Sequence, residues 1–182
     1  MPSTPPQTLA VQTAVLARVR PADAEELAAA AQASLEHLRL FLPWATSEGV
    51  TIEAEREFTR HAEEQWDAGA EYIYLLRQAG GGPVLGSFGL HRRLVPNAIE
   101  IGYWLHVDHT GHGYATAAAG ALTQAGLALT GIDWVEIHTD VANTASAAIP
   151  RRLGYHLDRV IDHAIQAPGE SGRHQVWVMR PQ

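Results

Sequence analysis

The chain contains neither cysteine nor lysine, and its 13 basic residues are all arginine, from Arg18 to Arg180. Without Cys there is no thiol nucleophile, no thiolate zinc ligand and no disulfide. Without Lys there is no Schiff-base amine, no internal aldimine for pyridoxal phosphate and no phosphate-binding lysine of the P-loop kind. No apolar run approaches the ~20 residues that span a bilayer. The opening MPSTPPQTLA lacks a charged region followed by an apolar one, so no secretory signal is expected. A net charge of −7 offers no basic face to phosphate, which argues against a nucleic-acid partner. The expectation is a cytoplasmic protein with no membrane or nucleic-acid contact. Its covalent chemistry must fall to a bound cofactor or to Ser, Tyr, His, Asp and Glu.

A chain of 182 residues is long enough for one domain with a real core. Residues 1–10 hold three of the ten prolines and are expected to form a mobile tail before a single domain over 11–182. A short apolar segment around Val15–Val19 predicts the first strand. Pro21-Ala22-Asp23 opens a helix over Ala24–Leu40, which Phe41-Leu42-Pro43-Trp44 breaks. A second helix is expected from Ile52 to Ala68 with Phe58 inward. Strands Glu71–Arg77 and Pro83–His91 flank the turn Gly80-Gly81-Gly82. In the fourth strand, Ile99–Val107, the odd positions Ile99, Ile101, Tyr103, Leu105 and Val107 form an apolar face opposite Glu100, Gly102, Trp104 and His106. A small-residue helix follows Gly111-His112-Gly113, then a fifth strand over Val135–Val141, a short helix over Asn143–Leu153, and closing strands. This order predicts an α/β (α+β) domain.

The segment from Trp104 to Ala115 passes from strand to helix through Gly111 and Gly113. These glycines let the backbone approach a ligand, and the first-turn amides of the following helix lack internal partners and can donate to phosphate. A dinucleotide fingerprint fails, because its third glycine position is Thr116. His106, Asp108, His109 and His112 crowd together, but the glycines argue for a loop and no metal site is expected. Asn143 reads as a helix N-cap and Gly154 as its C-cap.

Taken together, these motifs resemble the GNAT superfamily of acyl-CoA-dependent N-acyltransferases, of the RimJ/RimL type that acetylates ribosomal-protein N-termini. The resemblance runs over nearly the whole chain. His37-Leu-Arg-Leu-Phe-Leu-Pro-Trp44 is similar to the family's Leu-Pro-Trp element, and Glu100–Leu105 to its fourth strand. Gly111-His-Gly-Tyr-Ala115 is similar to its pyrophosphate loop, and Asn143-x-x-Ser146 with Leu153-Gly154-Tyr155 to its distal motif. The resemblance implies a single domain with a mixed, mostly antiparallel sheet, flanked by helices and splayed between the fourth and fifth strands. It implies acetyl-CoA as cofactor, held by Leu105, His106, Val107, Thr110, Gly111, His112, Gly113, Tyr114, Ala115, Asn143 and Ser146. The acceptor side would use Trp44, Tyr103 and Trp104.

The resemblance assigns thiolate protonation to Ser146, because Pro150 stands where many members carry a Tyr. Tyr103 and Tyr155 are weaker candidates, better explained by packing. Thr110 replaces the usual Arg or Gln of the loop, removing a charge-assisted contact of ~1.5–3 kcal/mol. Glu100 is read either as the general base, acting through water, or as a carboxylate that holds a cationic amine. Without Cys, direct transfer to a primary amine is expected, either a protein N-terminus or a small molecule. The alternative is a non-catalytic acyl-CoA-binding module, motivated by Thr110 and Pro150. Monomer and homodimer both fit the sequence.

Overall fold

The computed structural model describes residues 3–181. Its eight strands are β1 (Thr8–Val11), β2 (Ala14–Arg18), β3 (Glu71–Gln78), β4 (Val84–His91), β5 (Ala98–Leu105), β6 (Trp134–Asp140), β7 (His156–Asp162) and β8 (Arg173–Met179). They form one sheet in the order β1-β2-β3-β4-β5-β6-β8-β7. Every pairing is antiparallel except the central β5–β6 pair. The helices are α1 (Ala24–Ala33), α2 (Leu35–Leu38), α3 (Ile52–Asp67), α4 (Tyr114–Leu127) and α5 (Thr144–Leu153).

Alternation along the strands divides the core in two. One face meets α4 and α5 through Phe88, Leu90, Ile99, Ile101, Ala118, Leu122 and Ala147. The other meets α1 and α3 through Leu27, Ala30, Ala62, Ile73 and Leu75. Small residues let α4 sit close to the sheet. A Cβ on Gly126 would lie 3.2 Å from methyls of Ile99 and Val135 and 3.3 Å from Leu90.

The feature that shapes function lies mid-sheet. β5 and β6 pair from Ala98↔Trp134 to Ile101↔Ile137 and no further. Meanwhile β4–β5 pairing continues to Leu105 and β6–β8 pairing to Asp140. Gly102–Leu105 and His138–Asp140 therefore part, and the expected splay is present. An added N-terminal strand only shifts the count, so the fourth and fifth strands of the sequence reading are β5 and β6.

Three expectations need correction. Thr8–Val11 is a strand paired with β2, so order begins before residue 11. Val11 is buried and the Tyr74 hydroxyl donates to the Pro6 carbonyl at 2.7 Å, which ties down most of the expected tail. Met1 and Pro2 of that tail lie outside the described residues. The helix over 24–40 breaks at Ser34, whose buried hydroxyl accepts from the Val107 amide at 3.0 Å. Phe58 is 40% exposed; α3 instead buries Glu55, Thr59, Ala62 and Trp66, a stripe at helical spacing.

Candidate active site

The splay opens a cleft of about 1750 Å³ that reaches both faces of the sheet. Its floor on the α4 side is backbone. His106 donates its amide to Leu85 of β4 at 2.8 Å. Strand alternation therefore turns the N–H and C=O of Leu105 and Tyr103 away from β4, into the gap. Leu105 thus has backbone groups directed into the gap. His106 and Val107 do not offer their amides, because Leu85 and Ser34 already accept them.

Beyond β5 the chain makes one 3₁₀ turn and enters α4 through Gly111 (φ 79°) and Gly113 (φ 82°). This left-handed backbone is strained for any residue with a Cβ. A Cβ on Gly111 would meet nothing within 4 Å, so that side of the loop is open. Helix geometry leaves the first-turn amides of α4, including Tyr114 and Ala115, without internal acceptors. Thr110 spends its hydroxyl on the Val107 carbonyl at 2.9 Å and supplies no charge. His112 is exposed, and the His106 ring accepts from the Asp108 amide at 3.2 Å. These features suit a pyrophosphate held by backbone donors.

Asn143 caps α5 as expected, its side-chain oxygen accepting from the Ser146 amide at 3.1 Å. That cap sets Ser146 at the mouth of the splay, where its hydroxyl lies 3.1 Å from the Tyr103 hydroxyl. Tyr103 belongs to this side of β5, stacked on Phe88 at 5.7 Å, and not with its neighbour Trp104 on the opposite face, where the acceptor side was expected. Burial pushes the Tyr103 phenol up to about 12, so it stays protonated beside Ser146. Tyr155 hydrogen-bonds Thr123 at 2.6 Å inside the core, away from the cleft, and serves packing.

On the opposite face, Trp44 and Trp104 come together, with ring centroids 6.0 Å apart. Glu100 lies on this face too, but its reading as a base is corrected. Arg93 donates to both carboxylate oxygens, at 2.8 and 2.6 Å. Burial alone would raise the Glu100 carboxyl; the Arg93 hydrogen bonds and charge outweigh it and hold it below the ordinary carboxylate range. A carboxylate so clamped is a poor proton acceptor.

Sequence reasoning missed two better placed groups. His91 of β4 stands opposite Glu100 and bonds Glu71 through Nδ1 at 3.0 Å. The His91 hydrogen bond outweighs burial and holds Glu71 below its ordinary range, so Glu71 is an ionised acceptor. Nδ1 must then carry the proton, which leaves the Nε2 lone pair free in the neutral ring. That nitrogen hangs over two glycines: a Cβ on Gly89 would fall 2.6 Å from it, and one on Gly102 3.1 Å. Gly89 and Gly102 are cross-strand partners, so the ring fills a space made by two missing side chains. The second group is Glu55 of α3. It is buried and lines the cleft, and its carboxylate makes no hydrogen bond or ion pair among the described residues. Burial raises its carboxyl to about 7. A Glu on the apolar stripe of α3 was the signal that could have found it. No motif marks His91, because only strand pairing brings Gly89, Gly102 and Glu71 around it.

The four-residue crowd from His106 to His112 does not gather into a metal site. Among the described residues the His, Asp or Glu group that could is Asp140, His163 and His174. Burial, then the neighbouring His163, pushes the His174 imidazole below its ordinary value.

The chain matches a family profile described as Acetyltransferase (GNAT) domain over residues 14–156. No curated protein sequence matches it. Among solved structures it resembles RimL, a ribosomal L7/L12 alpha-N-protein acetyltransferase in complex with coenzyme A. That match has 20% identity and a TM-score of 0.85, and covers 95% of this chain and 97% of that one. It also resembles the Microcin C7 self-immunity acetyltransferase MccE, in complex with acetyl-CoA and AMP, at 20% identity and TM-score 0.86, covering 98% and 99%. The ribosomal-protein-S5-alanine acetyltransferase of Vibrio fischeri matches at 14% identity and TM-score 0.85, covering 95% and 96%. At such identities these likenesses establish the fold.

Proposed function

The chain belongs to the acetyltransferase (GNAT) domain family, and from that premise we propose that it moves the acetyl group of acetyl-CoA directly to a primary amine. The observation that carries this reading is the parting of β5 from β6 beyond Ile101 and Ile137, with the glycine-opened N-terminus of α4 at its end. The fit to the cofactor rests on that geometry. Leu105 and Tyr103 turn backbone groups into the gap, Gly111 leaves room, and the Tyr114 and Ala115 amides are free to meet phosphate.

When bound, acetyl-CoA supplies the activated acetyl thioester. The residues of the chain do the rest. His91 Nε2 receives the proton that the amine loses on attack, with Glu71 fixing the tautomer and stabilising the imidazolium. Ser146 Oγ holds a proton at the mouth of the splay for the departing thiolate, and Tyr103 can replace it. Arg93–Glu100 walls the base and keeps its orientation. Glu55, facing the cleft from α3, offers a counter-charge to a cationic acceptor.

The acceptor is a protein N-terminus of the ribosomal type, as the name of the RimL structure suggests, or a small amine. An α-amino group, with a pKa of ~8, needs less help from a base than an alkyl amine near ~10. We take the setting to be cytoplasmic, with the protein a monomer or homodimer. No described helix is long and apolar enough to cross a membrane.

The test is release of free CoA from acetyl-CoA over a panel of Ser- and Ala-starting peptides, polyamines and aminoglycosides, with mass detection of the product. Turnover with an acetylated amine is expected. Tight CoA binding without release on any acceptor would replace the reading with a non-catalytic acyl-CoA-binding module, which Thr110 and Pro150 would then explain.

A further inference from the structure

The face of the sheet that carries His91 continues across β6, β8 and β7 to a second cluster, which acetyl transfer does not use. Asp140 ends β6 and pairs in register with His174 of β8, and His174 pairs with Ile161 of β7. His163 follows two residues after Ile161, on the same side. Three strands thus deliver one carboxylate and two imidazoles to one place, all lining the cleft.

Asp140 is held rigidly there. Its Oδ1 accepts from the Ala142 amide at 2.7 Å, and both oxygens lie 3.0 Å from the Ser171 amide. Its side chain is only 3% exposed, and Oδ2 lies 3.4 Å from His163 Nε2. The two imidazoles stack with centroids 3.5 Å apart. The His174 imidazole makes no hydrogen bond among the described residues. A turn clamp explains Asp140, and a hydrogen bond explains His163. Neither explains a second imidazole stacked on the first, which would repel it if both were protonated.

We propose that Asp140, His163 and His174 form a binding site for one divalent transition ion of the zinc class. One ligand atom from each residue lies within 4.8 Å of the others. A tetrahedral ion with bonds of about 2.1 Å wants donors about 3.4 Å apart. The Asp140–His163 pair already stands at that separation, and the remaining ligand-atom separations, all within 4.8 Å, must close by up to about 1.4 Å to complete the set. Two imidazoles and one carboxylate suit Zn²⁺ and exclude the all-oxygen cations Mg²⁺ and Ca²⁺. The Ser171 and Ala142 amides orient the carboxylate, as outer-shell partners of metal ligands do. The fourth position opens to the cleft, where it takes water or an anionic group of an acceptor. The sequence reading expected no metal, because it looked at the run from His106 to His112, and these three ligands are scattered over 35 residues of chain that only β6–β8–β7 pairing unites. The site does not depend on acetyl transfer and stands or falls separately.

The experiment is calorimetric titration of ZnCl₂ into chelator-stripped full-length protein, with Co²⁺ absorption as a report of geometry. One ion per chain is expected, with an intense tetrahedral Co²⁺ spectrum. His163→Ala and His174→Gln should each weaken Zn²⁺ by at least about tenfold. His156→Ala, at an exposed position on β7, should leave binding unchanged. Because the ion would join three strands, Zn²⁺ should also raise the Tm of the native chain and not of the two ligand variants. No binding by the native chain, or equal affinity in the native chain and both ligand variants, overturns the site.

Discussion

His91 and Glu100 are direct cross-strand partners, yet their chemistry differs because of what else touches them. Arg93 takes both oxygens of Glu100 and leaves no basic lone pair facing the cleft. Glu71 takes only one nitrogen of His91 and frees the other. Replacing His91 by Gln should therefore lower kcat by roughly 10²–10⁴-fold and remove the acid limb of the pH–rate profile, with a smaller effect on acetyl-CoA binding. Steady-state assays across pH decide this; an unchanged kcat and profile would leave the ring a filler for the Gly89–Gly102 gap. At this scale local motifs single out Ser146, Asn143, Gly111 and Gly113, and the structure puts all four along the cleft. His91 was illegible because its partners come from three strands, and the two readings of Glu100 stayed open because Arg93, which clamps it, lies in a loop whose course a sequence does not give.

The elements carry a different kind of information. The period of α4 and its run of Ala and Gly predicted a helix lying close to a sheet, and the 3.2 Å approach at Gly126 is that closeness. Gly126→Val would add three carbons against Ile99, Val135 and Leu90, all branched and fully buried. It should destabilise the fold by about 1–3 kcal/mol or more, measured by urea unfolding, despite the better helix propensity of Val over Gly. Unchanged stability would mean that α4 can move off the sheet at no cost. In α3 the same kind of periodicity misled. Phe58 was placed inward on hydrophobicity, but the buried stripe through Thr59, Ala62 and Trp66 includes Glu55, and Phe58 sits one position round at the cleft. The cleft inverts the usual rule: the helix must leave an opening beside the sheet, so an acid lines it.

For the whole molecule, that acid links stability to pH. The folded Glu55 carboxyl is raised to about 7 from an ordinary 4.5. The folded state therefore holds its proton where the unfolded chain has lost it. Stability falls as pH rises from about 4.5 and levels off above about 7, a loss on the order of 3 kcal/mol at most. Glu55→Gln should remove this slope: equal to the native chain near pH 4.5 and more stable at pH 8, by denaturant unfolding at both. Equal stability at both pH values would mean that water in the cleft solvates the carboxylate. What the sequence alone determined is the one-domain α/β plan, the order of its elements from β3 onward and the glycine turn that opens α4. Strand alternation, helical period and glycine turns are local, and the absence of Lys and Cys is read directly. What only the tertiary structure decided is which side chains share the cleft. Glu71 with His91, Arg93 with Glu100, Tyr103 with Ser146, and Asp140 with His163 and His174 meet across strands and helices. Such meetings depend on register and on where two strands part, and no periodicity along a single chain encodes either.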